Sequence, residues 1–118
     1  MLRNLMLALA VLLIATPAMA GEATVSWTAP TQYEDGSSLP TNQIQSYKVY
    51  YGQTSGGPYG FVITVGGGLT TATITDLTAG TWYFVATTVA TNGLESALSN
   101  QVAKTVVSTS KPRAPVLR

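Results

Sequence analysis

Two kinds of hydrophobic order divide the chain. Leu5 to Ala15 is an uninterrupted apolar run of 11 residues, closed by Thr16-Pro17. From Gly21 onward no stretch carries apolar residues at helical spacing. Instead, period-two alternation rich in Val, Ile, Thr, Tyr and Trp recurs between clusters of Gly, Pro, Asn and Asp, the pattern of short antiparallel strands.

The first strand is expected over Ala23–Thr28, with Ala23, Val25 and Trp27 on one face and Thr24, Ser26 and Thr28 on the other. Pro30 ends it, and Tyr33 to Pro40 reads as a loop turning at Asp35-Gly36. Ile44–Tyr51 is the second strand, its Tyr47, Val49 and Tyr51 opposed to Ser46, Lys48 and Tyr50. Tyr59–Val65 is a third, closed by Gly66-Gly67-Gly68. Thr71–Asp76 is a fourth, with Ala72 and Ile74 inward. Thr81–Ala90 is the fifth and most apolar, and a last strand runs from Leu98 to about Val107. Six short strands without a helix predict an all-β sandwich. Ser108–Arg118, with two prolines and three basic residues, reads as a flexible tail.

The apolar run changes the charge balance. Arg3 ahead of it and Ala18-Met19-Ala20 behind it have the order of a signal peptide cleaved after Ala20. A membrane-spanning helix needs about 20 apolar residues, so residues 1–20 are read as a removed leader and the product as secreted or periplasmic, with no stable membrane insertion. Residues 21–118 then hold five basic side chains, Lys48, Lys104, Lys111, Arg113 and Arg118, against five acidic ones, Glu22, Glu34, Asp35, Asp76 and Glu95. A neutral surface gives no counterion-release attraction to nucleic acid. Residues 21–107 make one domain, and without Cys its core must hold by packing alone.

Three motifs in order resemble the fibronectin type III family: Val25-Ser26-Trp27-Thr28-Ala29-Pro30, then Ile44-x-x-Tyr47-x-Val49-x-Tyr51, then Ile74-x-x-Leu77-x-Ala79-Gly80-Thr81-x-Tyr83. Glu95-Ser96-x-x-Ser99-Asn100 resembles the family's entry into its last strand. The likeness spans about Ala23 to Val107 and is closest to single modules of exported bacterial proteins. It implies an immunoglobulin-like sandwich with Val25, Trp27, Tyr47, Val49, Ile74, Leu77, Tyr83 and Val85 in the core. It also implies a tyrosine corner at Tyr83, six residues after Leu77, whose hydroxyl returns to backbone near the turn. The family fold has seven strands, and cleavage after Ala20 leaves only Gly21 and Glu22 ahead of the strand matching its second. The first strand is therefore expected to be missing. The exposed edge is either shielded by side chains or the tail, or used for strand-edge self-association.

Chemistry is sparse. The chain has no His and no Cys, which removes the usual base, metal ligand and thiol nucleophile, and its carboxylates are scattered. Glu34-Asp35 lacks calcium-loop spacing and reads as a turn, and Gly66–Gly68 lacks the Lys of a phosphate loop. No catalytic residue, metal or cofactor is expected. The fifth strand is apolar on both faces. With Tyr83, Val85, Thr87 and Val89 inward, Trp82 and Phe84 would face out beside Tyr50 as an aromatic patch, serving either as an interaction site or only as cross-strand stabilisation. The expected role is a non-catalytic adhesion, scaffolding or protein-binding module. The alternatives are a polysaccharide-associated accessory role, as the family implies, and a subunit of a surface or phage-like assembly using the open edge.

Overall fold

A computed structural model describes residues 21–107 and 112–118; the expected leader, and Ser108–Lys111 of the expected tail, lie outside the described residues. The elements in order are β1 (Gly21–Ser26), a 3-10 turn (Thr41–Gln43), β2 (Ile44–Gly52), β3 (Phe61–Gly66), β4 (Thr71–Leu77), β5 (Gly80–Ala90) and β6 (Val102–Val106). All pairings are antiparallel, in two sheets: β1-β4 and β3-β2-β5-β6. Two sheets with alternating strands stack on their apolar faces.

The core follows the alternation. Ala23, Val25, Ala72, Ile74 and Leu77 of the small sheet meet Val49, Trp82, Phe84 and Val106 of the large one. A second cluster of Leu39, Ile44 and Tyr47 closes one end, with Trp27, Ala29, Tyr33 and Val65 packed against it. The Trp27 and Tyr47 rings lie 5.2 Å apart, tilted by 56°, bridging the sheets as large side chains can.

Across the inner face of the large sheet one row runs Phe61–Tyr51–Phe84–Val102 through four strands. Phe61 and Tyr51 stack at 5.3 Å, and Tyr51 and Phe84 at 5.8 Å. The middle of the row is sealed, Phe84 being 2% exposed, while its ends are open, Phe61 at 55% and Val102 at 40%. The two-stranded sheet is too narrow to cover a four-stranded one.

Three strand starts differ by two residues or more from those expected, and β1 ends at Ser26 rather than Thr28. β3 starts at Phe61 rather than Tyr59 because the Tyr59 hydroxyl donates to Gln101 Oε1, 2.6 Å away, holding that residue in the loop. β6 starts at Val102 rather than Leu98 because the segment before it borrows serine side chains for its ladder. Ala86 N–H donates to Ser99 Oγ and Thr88 N–H to Ser96 Oγ, at 2.9 and 3.0 Å. β1 starts at Gly21, two residues early, where it meets Leu77. No strand precedes β1 among the described residues.

The phase of β5 is also corrected. Trp82 and Phe84 are 6% and 2% exposed and lie in the core, not on an outer patch. Tyr83 is half-buried outside the core clusters, and Val85 lies directly opposite Tyr50 on the outer face, where it is buried. Trp82 makes the corner expected of Tyr83: its indole N–H donates to the Thr78 carbonyl at 2.8 Å.

Candidate functional site

Of the three residues expected to form an aromatic patch, Tyr50 alone faces outward, since Trp82 and Phe84 pack inside. Tyr50 belongs instead to a polar cluster on the outer face of the large sheet. Glu95 reaches over the strands and accepts hydrogen bonds at Oε2 from the Tyr50 hydroxyl (2.5 Å) and the Thr87 hydroxyl (2.6 Å). Lys48 Nζ stands 3.7 Å from its other oxygen. The Thr87 and Tyr50 hydroxyls, and then Lys48, hold the Glu95 carboxyl below its ordinary range, with slight burial opposing them. Chiefly through its bond to Glu95, Tyr50 is pushed up. Both hydroxyls thus converge on Oε2 of Glu95, while Oε1 faces Lys48 across a gap longer than a hydrogen bond. The cluster's work is to pin the turn after β5 onto the sheet.

That turn forms one wall of a cleft of about 540 Å³ at the end of the sandwich. The other wall is the Gln32–Leu39 loop, itself a miniature hairpin. Gln32 and Ser38 form a bridge, Tyr33 N–H donates to the Ser37 carbonyl at 2.8 Å, and Gly36 N–H donates to the Tyr33 carbonyl at 2.9 Å. Gly36 sits at φ 88°, the left-handed region that its lack of a Cβ permits. Asp35 caps the turn, accepting from the Ser37 hydroxyl at 2.6 Å and the Ser37 N–H at 2.9 Å; the Ser37 hydroxyl bond, foremost, holds its carboxyl low. Leu39 is buried as the loop's anchor.

The cleft joins Tyr33, Leu39, Ala90 and Leu94 with Glu34 and Glu95 at its rim. Leu94 is 71% exposed beside it. Glu34 ties the walls together by accepting from Ala97 N–H at 3.3 Å. An apolar floor with a carboxylate rim suits a side chain that is apolar along its length and basic at its tip. Sequence reasoning missed this cleft because its residues fall in two loops about 60 positions apart, and only the strand pairing brings them together.

A smaller cleft of about 200 Å³ lies around the corner, lined by Trp27, Tyr47, Ala97 and Ser99 among others. At its base the Tyr47 hydroxyl and Trp27 Nε1 are buried with no hydrogen-bond partner among the described residues. Burial pushes the Tyr47 hydroxyl up; the nearby indole N–H opposes this without aligning into a hydrogen bond.

Two antiparallel sheets closed by an aromatic corner, with the Gln32–Leu39 loop and the turn at Leu94 gathered at one end, define an immunoglobulin-like sandwich module. The sequence matches the model of the fibronectin type III domain over residues 11–105, and the chain belongs to that family. Membership supports a generic binding or scaffolding role. The match begins 10 residues ahead of β1. No curated protein matches the chain.

Proposed function

We propose that this protein is an exported, non-catalytic adhesion or scaffolding module that holds a protein partner in the cleft between the Gln32–Leu39 loop and the turn at Leu94. The observation that carries the reading is the apolar floor at Leu39 and Ala90 under a rim bearing Glu34 and Glu95. Such a surface selects a partner segment with an apolar residue next to Lys or Arg. The leader-like residues 1–20 support a secreted or periplasmic location, and the neutral charge balance supports a partner other than nucleic acid.

The test is a pull-down from the extracytoplasmic fraction with the wild-type chain and Leu94→Asp, a substitution at an exposed position whose unfolding midpoint should match the wild type within the range of surface changes. A partner retained by the wild type and lost with Leu94→Asp carries the reading. A partner retained equally by both excludes the cleft. N-terminal sequencing of the mature protein should begin at Gly21 if the export reading holds.

A second reading, polysaccharide association, is favoured by Phe61, whose exposed ring extends the Tyr51 stack and offers a flat face to a sugar. Retention on a glycan panel that Phe61→Ala abolishes would carry it.

A further inference from the structure

The edge strands of the two sheets are not protected equally. β1, β4 and β6 each carry a charge, Glu22, Asp76 and Lys104, and the pairing of β1 has a register shift besides. Charges and irregularities of this kind blunt an edge. β3 has neither. Its sequence, Phe61-Val62-Ile63-Thr64-Val65-Gly66, is uncharged and free of Pro, and it pairs with β2 from Tyr51↔Phe61 to Ser46↔Gly66 without a shift. No strand among the described residues pairs with its other side.

Gly67 N–H donates to the Gln45 carbonyl at 3.1 Å, one step beyond the Ser46↔Gly66 pair. Hydrogen-bonded and non-bonded pairs alternate along an antiparallel ladder. Val65, Ile63 and Phe61 therefore bond to β2, and the N–H and C=O groups of Val62 and Thr64 point out of the sheet edge. Side chains alternate between faces: Phe61, Ile63 and Val65 lie on the inner face, and Val62 and Thr64 on the outer one, opposite Tyr50 and Lys48. Phe61 and Val62 are 55% and 51% exposed, and Leu69, in the turn after the strand, is 52% exposed.

We propose that β3 pairs antiparallel with β3 of a second copy of the chain, about a two-fold axis at Ile63, joining the two large sheets into one. Val62 then lies opposite Thr64 of the second copy, and each outward N–H and C=O of these two residues meets its counterpart. On the inner face Phe61 falls beside Val65 of the second copy and Ile63 beside its own equivalent, so the open end of the Phe61–Tyr51–Phe84 row is covered. A slip of one residue sets outward groups against groups already bonded to β2. A slip of two sets Phe61 against Gly67, or Val65 against Tyr59, which its bond to Gln101 holds in the loop.

A second copy is the occupant because this edge matches itself in charge. Two-fold pairing through β1, β4 or β6 would bring Glu22, Asp76 or Lys104 into a contact with its like, and through β3 it brings none. Such a contact is isologous and closes at two copies. β3 is about 20 Å long and the sheet about 10 Å deep, so the contact stays well below the roughly 800 Å² per partner of a standard interface, and the dimer is reversible. None of these residues lines the Leu39–Leu94 cleft, so the proposal stands or falls independently of the binding reading above. Phe61 is shared with the polysaccharide reading, and the variants that test the dimer therefore lie elsewhere on the strand.

The chain has no Cys, so a single introduced thiol reports the register. Directly opposed residues have Cα atoms about 4.5–5.5 Å apart, within disulfide reach, whereas Val62 and its own equivalent are offset along the strands beyond the limit of about 7 Å. Mild oxidation of the full chain should link Ile63→Cys into a dimer at least tenfold faster than Val62→Cys, although Val62 is the more exposed position. In light scattering the wild-type mass should rise with concentration towards twice the monomer and stop there. Val62→Lys should stay monomeric over the same range, and the uncharged Val62→Thr should associate as the wild type does. Four results overturn the proposal: a wild type monomeric throughout; a mass that grows beyond two copies; equal association of wild type and Val62→Lys; or faster linking through Val62→Cys than through Ile63→Cys. If Ile63→Cys does not fold, the comparison of wild type, Val62→Lys and Val62→Thr decides alone.

Discussion

The Trp82 indole N–H donates to the carbonyl of Thr78, 2.8 Å away, tying the first turn of backbone before β5 to the strand itself. The bond fixes the angle at which the chain crosses from the small sheet to the large one. It also sets which side chains of β5 face inward, since Trp82 and Phe84 point the same way.

Replacing Trp82 with Phe should therefore cost about 2 kcal/mol, some from the lost bond and its unpaired acceptor and some from the smaller ring. Tyr83→Phe, on the opposite face, should stay within about 0.5 kcal/mol, as surface changes do. Urea unfolding of the two variants checks this. A larger loss for Tyr83→Phe than for Trp82→Phe would reverse the assigned phase.

The contrast between β2 and β5 shows what the sequence makes legible. In β2, Ser46 and Lys48 mark the solvent face, so Tyr47, Val49 and Tyr51 are assigned inward by alternation alone. In β5, Trp82-Tyr83-Phe84-Val85 is apolar on both faces, and the phase depends on how the chain enters. That entry is irregular: Asp76 has φ 61° and Gly80 φ 136°. A spacing of six from Leu77 therefore points to Tyr83 although the inward residue is Trp82. Leu39 was hidden for a different reason. It sits in a stretch of turn-forming residues, and its burial comes from Ile44 and Tyr47 across the loop.

The Glu95 cluster makes stability depend on pH on both sides of neutrality. The folded-state pKa of Glu95 lies below its ordinary value, so its contribution is full above about 4.3, the unfolded value, and is lost as pH falls through the folded one. Tyr50 is shifted up; its contribution is full below about 10 and is lost as pH rises through the folded value. Glu95→Gln should flatten the acid limb of a plot of unfolding midpoint against pH and remove Tyr50's part of the alkaline limb. Unchanged limbs in the variant would show that Glu95 and Tyr50 do not titrate together.

Gly67 is required by contact rather than by its dihedral angles. It donates its N–H to the Gln45 carbonyl at 3.1 Å, and a Cβ there would collide with the Ile44 carbonyl oxygen. The obstacle is backbone of β2, which cannot rotate away. Gly67→Ala should destabilise by more than about 2 kcal/mol, whereas Gly68→Ala, with open space around its Cβ position, should be close to neutral. Thermal unfolding of the pair separates a steric requirement from a general preference for glycine in the turn.

Leu39 joins the fold to the cleft, because the same side chain that fills the end cluster also forms the cleft floor. Leu39→Ala should cost about 2–5 kcal/mol, the range for a buried Leu truncated where collapse is incomplete. The hairpin bonds of the Gln32–Leu39 loop do not involve its side chain, so the loop should loosen from the sheet while keeping its own turn. The measurable difference is local. Hydrogen exchange at the Leu39 amide, which donates to the Thr31 carbonyl at 2.9 Å, should accelerate well beyond the change at Val49 in the centre of the large sheet. Equal acceleration at both positions would mean that the loop and the sheet open together as one cooperative unit, and that the cleft wall is as rigid as the core beneath it.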